Sequence, residues 1–180
     1  MQTQKVAGGN ETLWVIDPTR SSVEFSVKNF FIFGVKGSLT DLAGAIEFDN
    51  IDIRRSSIKA GIKAARIDTG NKGRDRHLRG AAFLDAEHYP DIRFQSTSVE
   101  HGTDRDALRI TGLLTIKAIS KEVVLNVNEV DRSRSPTGEE VAYYSATTEL
   151  DRFEFGMNYG RGFMGRKLMV AINVQASERK

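Results

Sequence analysis

The densest group of side chains able to do chemistry in this sequence is Arg74-Asp75-Arg76-His77. A carboxylate next to an imidazole is the start of a general-base arrangement, with His77 taking a proton and Asp75 holding the ring. Residues two apart do not share a helix face, so a direct Asp75–His77 pair is geometrically poor. Nothing nearby supplies a nucleophile or a second acid. The plainer reading is that both side chains tie their segment to the rest of the fold by hydrogen bonds and salt bridges. Contact with a ligand is the alternative, and a small-molecule enzyme using Asp75 and His77 is a third.

The other chemical motifs are weaker. His77, His88 and His101 show no His-x-His or His-Glu-x-x-His spacing, and the chain has no cysteine, so no zinc or other metal site is expected. Glu100, Asp104 and Asp106 read as an acidic, solvated turn rather than a calcium loop. The run Gly156…Gly160-Arg161-Gly162…Gly165 lacks the Gly-Lys-Ser/Thr of a phosphate loop, so its glycines are read as turn formers. Basic residues between Arg66 and Arg79 are diluted by Asp68 and Asp75. No nucleic-acid partner is expected, because no strand-borne aromatic motif accompanies them. No catalytic residue is assigned.

Positioning such groups falls to a chain of 180 residues with 26 basic and 24 acidic side chains and a net charge of +2. That length fits one domain able to bury a core without staples. Residues 1–12 are expected to be a flexible polar lead-in, and 13–177 one domain. The N-terminus lacks the apolar stretch of a secretory signal, and no window approaches the length of a membrane-spanning helix. A chain that starts this way is expected in the cytoplasm, or in the periplasm where a signal has been removed.

Alternation of period two dominates, the mark of half-buried strands. It runs through Val23–Val27, Gly44–Asp49, Ile58–Ala64, Ile92–Phe94, Leu108–Ile116, Val123–Val127, Ala142–Leu150 and Leu168–Val174, with Leu113 out of phase. Turns fall at Asp17-Pro18, Asp49-Asn50, Gly102-Thr103-Asp104 and Ser135–Gly138. The 70–90 connection reads as a short helix and a loop. Eight long antiparallel strands predict a sandwich or a closed barrel, and closure removes exposed edges. Small inward candidates (Ala60, Ala64, Gly112, Ala142, Ala146 and Ala171) predict an unfilled interior. The block Phe30-Phe31-Ile32-Phe33 is either a plug at one barrel end or an apolar mouth that meets lipid or membrane.

Several segments carry a resemblance. Trp14-Val15-Ile16-Asp17-Pro18-Thr19-Arg20, Val35-Lys36-Gly37-Ser38-Leu39 and Ile67-Asp68-Thr69-Gly70 resemble the YceI-like family, as does Arg74-Asp75-Arg76-His77-Leu78-Arg79 running to Phe83-Leu84-Asp85. Tyr89-Pro90-Asp91, Gly112–Lys117 and Leu150–Gly156 continue the series, in order, from about residue 13 to 176. Asn29 and Ala118 depart from it: the family often has histidine and glycine there. The resemblance implies an all-β fold, an extended eight-stranded antiparallel lipocalin-like β-barrel, with the short helix in the 70–90 connection. It also implies a long prenyl lipid, an isoprenoid quinone or polyprenyl phosphate, bound for storage or transport, with no cofactor required. Transient membrane contact fits this picture, and so does a dimer. A barrel with a filled core acting as a stress-related interaction protein is the alternative. The expected lumen residues are Phe25, Val27, Phe30, Phe31, Phe33, Phe48, Ile58, Ile62, Phe94, Leu114, Ile116, Tyr144, Phe155, Phe163, Val170 and Ile172. Arg74, His77 and Arg152 are the expected head-group contacts.

Overall fold

The computed structural model describes residues 10–29, 34–104 and 106–179, with Lys28 and Asn29 described by backbone alone. The chain forms β1 (Glu11–Ile16), β2 (Ser22–Asn29), β3 (Val35–Thr40), β4 (Ala43–Asp49), β5 (Ser57–Lys63), β6 (Ile67–Asp68), α1 (Lys72–Arg79), β7 (Asp91–His101), β8 (Ala107–Ile116), β9 (Ile119–Arg134), β10 (Glu140–Asp151) and β11 (Met164–Arg179). All pairings are antiparallel. The order β1-β4-β5-β7-β8-β9-β10-β11 closes on itself through β1–β11, giving the expected eight-stranded barrel. Among the described residues no helix is long and apolar enough to cross a membrane.

Three short strands, β1, β3 and β6, go beyond the expected eight, and β11 makes room for the first of them. It is 16 residues long, or about 53 Å at 3.3 Å per residue. Its N-terminal part pairs with β2 and its last four residues pair with β1. Two shorter strands thus lie end to end along one edge of a longer one. The corner between them is fixed by side chains: the Thr19 amide and hydroxyl donate to Asp17 at 2.9 and 2.7 Å. Buried Ser21 accepts from the Gln175 amide at 3.0 Å. From β2 the sheet continues through β3 to the two-residue β6.

The alternation sorts the wall as predicted along most strands. Leu108, Ile110, Leu114 and Ile116 of β8 face the interior, and the out-of-phase Leu113 is exposed. Two inward expectations are corrected. Ala171 lies between the inward Val170 and Ile172, so the pleat turns it outward. Ala64 lies past the end of β5, buried in a 3-10 turn (Ala64–Arg66), because the strand stops at Lys63.

Gly112 is inward but leaves no room. A Cβ there would sit 2.4 Å from the Phe94 ring and 2.6 Å from the Gln95 carbonyl. Gly37 is covered in the same way by Phe25, at 2.5 Å. Each aromatic ring lies across a glycine of the next strand, which keeps it flat against the wall.

The departure at Ala118 is accommodated by the turn between β8 and β9. The left-handed position of that two-residue turn is Lys117, at φ +58°. Ala118 is outside the left-handed region, so it needs no glycine.

Candidate functional site

The barrel interior holds a cavity of about 490 Å³. Its lining comes from nearly every strand and is overwhelmingly aliphatic and aromatic. Phe25 and Val27 on β2, Phe48 on β4, Ile58 and Ile62 on β5, Phe94 on β7, and Leu114 and Ile116 on β8 all line it. So do Tyr144 on β10 and Val170 and Ile172 on β11. Phe30, Phe31 and Phe33 lie outside the described residues. Two other expected positions are corrected. Phe155 is 1% exposed, but it packs within the core and does not line the cavity. It belongs to a 3-10 turn (Arg152–Phe155), where strand periodicity does not apply. Phe163 is 72% exposed, because its turn begins at Gly160 and passes through Gly162 with φ +70° and +86° and so carries it outward.

Several lining residues were not singled out from the sequence. Leu125, Val127, Thr148 and Leu150 continue strand alternations and were findable from them, and Ala146, expected to be a small inward residue, lines the cavity beside them. Leu78, Phe83 and Leu84 come from α1 and the loop after it, Met157 and Tyr159 from the glycine-rich connection, and Met164 from the first position of β11. Neither of the first two segments has a periodic signal.

One end of the cavity is covered by α1 and the 156–165 connection. The Asn71 side chain caps α1 by accepting from the Arg74 amide at 3.0 Å. Asp75 points away from the cavity into a buried site, where the Thr69 hydroxyl and amide both donate to it. The Thr69 hydroxyl is the main reason its carboxyl is held below the ordinary range. His77 faces the cavity instead, meeting Phe83 and Tyr159 edge-on at 5.1 and 4.6 Å. The helix therefore separates Asp75 from His77, and no acid–base pair is assembled.

The three expected head-group residues all reach the cavity but differ in what they have left to offer. Arg74 donates to the Thr69 hydroxyl and carbonyl at 2.8 and 2.9 Å and is otherwise exposed. His77 is exposed as well. Arg152 is 2% exposed, and its guanidinium is taken up by the carbonyls of Met157, Tyr159, Met164 and Gly165. Burial lowers its pKa. Its role is to shape the connection.

The opposite end is built differently. A β-bulge interrupts the register so that Glu129 pairs with Tyr144 and Arg132 with Ala142. In an unbulged strand the two charged residues, three apart, would fall on opposite faces; here Val130 is the extra, unpaired residue. The bulge brings both to the interior side. Arg132 donates to Glu129 at 2.9 Å and covers the Trp14 ring at 5.0 Å. It also reaches the Tyr144 hydroxyl at 3.5 Å. The Arg132 guanidinium lowers the pKa of Glu129, and burial pushes the Tyr144 phenol up to about 12. Among the described residues no group of three or more His, Asp or Glu side chains could hold a metal ion.

Comparison with known proteins supports the same architecture. The YceI-like domain family matches residues 14–176. A relative from Pseudomonas putida named "UPF0312 protein" is 30% identical over 158 residues, covering 88% of this chain and 81% of the relative. The solved structure of Burkholderia cenocepacia BcnA superposes with a TM-score of 0.78 at 19% identity, covering 89% of this chain and 98% of that one. A polyisoprenoid binding domain from Saccharophagus degradans, implicated in plant cell wall breakdown, superposes with a TM-score of 0.70 at 11% identity, covering 92% and 98%.

Proposed function

The chain belongs to the YceI-like family, and from that premise we propose that it binds a long-chain polyisoprenoid lipid inside the barrel, for storage or transport. The observation that carries this reading is the continuous apolar lining of a cavity enclosed by strands on all sides. Each CH₂ moved from water into such a lining contributes about 0.8 kcal/mol. A prenyl chain of many carbons therefore retains a large surplus after ordering costs. The Saccharophagus degradans domain supports the lipid class, since its fold is the same and it is described as polyisoprenoid binding.

The tail occupies the aliphatic interior and the polar head remains at the α1 end, beside Arg74 and His77. Both side chains are exposed there, so a quinone carbonyl or a phosphate keeps its hydration. The mouth at this end is where lipid exchanges with a membrane. The activity is binding: Asp75 and His77 are held apart by the helix, Arg152 is committed to backbone carbonyls, and Glu129, Arg132 and Tyr144 are engaged with one another. Mass spectrometry of an organic extract of the purified protein tests the proposal. Prenyl lipid at a substantial fraction of one per chain is expected. Protein purified from a lipid-containing host with an empty extract, and with no uptake of added prenyl lipid, would contradict it.

A further inference from the structure

We propose that the α1 end of the barrel docks onto an anionic phospholipid bilayer, with Phe163 as the inserted anchor and Lys72, Arg76 and Arg161 as the contacts to lipid phosphates. This inference rests on the lipid-binding reading, since it names the surface through which the cavity is loaded. The chain as a whole is nearly neutral, yet its charge is unevenly placed. Residues 72–79 and 156–166 together hold six basic side chains and one acidic one. The acidic one is Asp75, which is buried against Thr69.

The two segments form one surface. Tyr159 of the connection packs against His77 and Phe83 at 4.6 and 5.4 Å. Three of the six cations are committed: Arg166 pairs with Asp151, Arg74 is held by Thr69, and Arg79 donates to the carbonyls of Ala65 and Ile67. Lys72, Arg76 and Arg161 have no carboxylate partner among the described residues. At 100° per residue, Arg74 and Leu78 facing the cavity place Lys72 and Arg76 on the side of α1 that faces away from it. Arg161 lies over the Phe153 ring at 4.7 Å and donates to Asn158, which holds it at the surface.

Phe163 supplies the apolar part. It is 72% exposed, and Tyr159 beside it is 52% exposed. Between the two glycines of its turn and a third at Gly165, Phe163 stands clear of the barrel. A large exposed aromatic side chain two residues from Arg161, on a connection that packs against the helix carrying Lys72 and Arg76, matches the interface of an anionic bilayer, where the ring settles among head groups and the cations meet phosphates. Arg74 and His77, which are exposed and also line the cavity, lie on the same segment as Lys72 and Arg76, so docking would bring this end of the cavity to the membrane.

Co-sedimentation with phosphatidylcholine vesicles, with and without phosphatidylglycerol, tests this. Binding should require phosphatidylglycerol and weaken as salt is raised. Arg161→Gln should weaken it about five-fold, and the double change Lys72→Gln with Arg76→Gln about twenty-five-fold. Phe163→Ser should lower it about ten-fold at all salt concentrations. Equal binding to neutral and anionic vesicles, no vesicle binding, or indifference to these substitutions would overturn the proposal. So would the same residues binding polyglutamate while the protein ignores vesicles. Prenyl lipid in the extract of a protein that ignores vesicles would leave the lipid-binding reading standing while this one fails.

Discussion

The barrel wall and the α1 rim hold their side chains in place by different means. On the wall, position follows from strand pleat: one residue faces in, the next faces out, and the backbone hydrogen bonds are satisfied by neighbouring strands. On the rim, no ladder exists to satisfy the backbone, so side chains do that work. Arg152 alone accepts the task for four carbonyls, and Asp75 does it for the Thr69 amide. The wall is therefore free to be apolar and to leave space, whereas much of the rim's polarity is structural. The polar residues that remain available are exposed ones, His77, Lys72, Arg76 and Arg161, while Arg74 is exposed but oriented by Thr69.

The sharpest way to break this contrast is at Arg152. Arg152→Ala should cost about 3–4 kcal/mol in denaturant unfolding, because several buried carbonyls lose a charged donor at once. A loss below about 1 kcal/mol would show that the rim does not depend on it. On the wall, Ala146→Phe should fill cavity rather than strain the fold. It should weaken prenyl-lipid binding by about 2 kcal/mol, roughly thirty-fold, through displacement of two or three buried carbons. Its unfolding free energy should move by less than that.

A third test uses pH. The Asp75 carboxyl is held below its ordinary value of 3.8 by the Thr69 hydroxyl. Its contribution to stability is therefore complete above that value and is lost as pH falls through the lower folded-state one. Asp75→Asn should remove about 1–2 kcal/mol at neutral pH. It should also flatten the acid limb of the stability profile, and an unchanged limb would mean that other carboxylates control it. The smallest effect concerns the β8–β9 turn. Lys117→Gly should stabilise by about 0.5–1 kcal/mol, since Lys117 sits at positive φ. Ala118→Gly should destabilise by a similar amount, and thermal melts of the two variants would separate the cases.

The same contrast governs what could be read from the sequence. Period-two alternation placed Phe25, Ile58, Ile62, Leu114, Ile116, Val170 and Ile172 on the cavity correctly, because strand geometry leaves few alternatives. It failed where a strand ended, as at Ala64, and it gave no reading of the turns that hold Phe155 and Phe163. Gly112 was read as empty space because sequence does not show that Phe94 lies across it. Glu129 and Arg132 were missed because one bulged residue, Val130, reversed their facing. Arg152 was recognised as reaching the site, but its hydrogen bonds to four carbonyls depend on a loop shape that no local pattern encodes.

The central claim is that the ligand lies along the inside of the barrel, with its head at the α1 end. Photo-crosslinking with a prenyl lipid carrying a diazirine at the tail end tests it most directly, with the labelled residues mapped by peptide sequencing. Labels on inward residues deep in the wall, such as Val99, Ile110 and Val127, are predicted, and they should be lost in Ala146→Phe. Labels confined to outward residues such as Leu113 and Met169, or unchanged in that variant, would contradict the account.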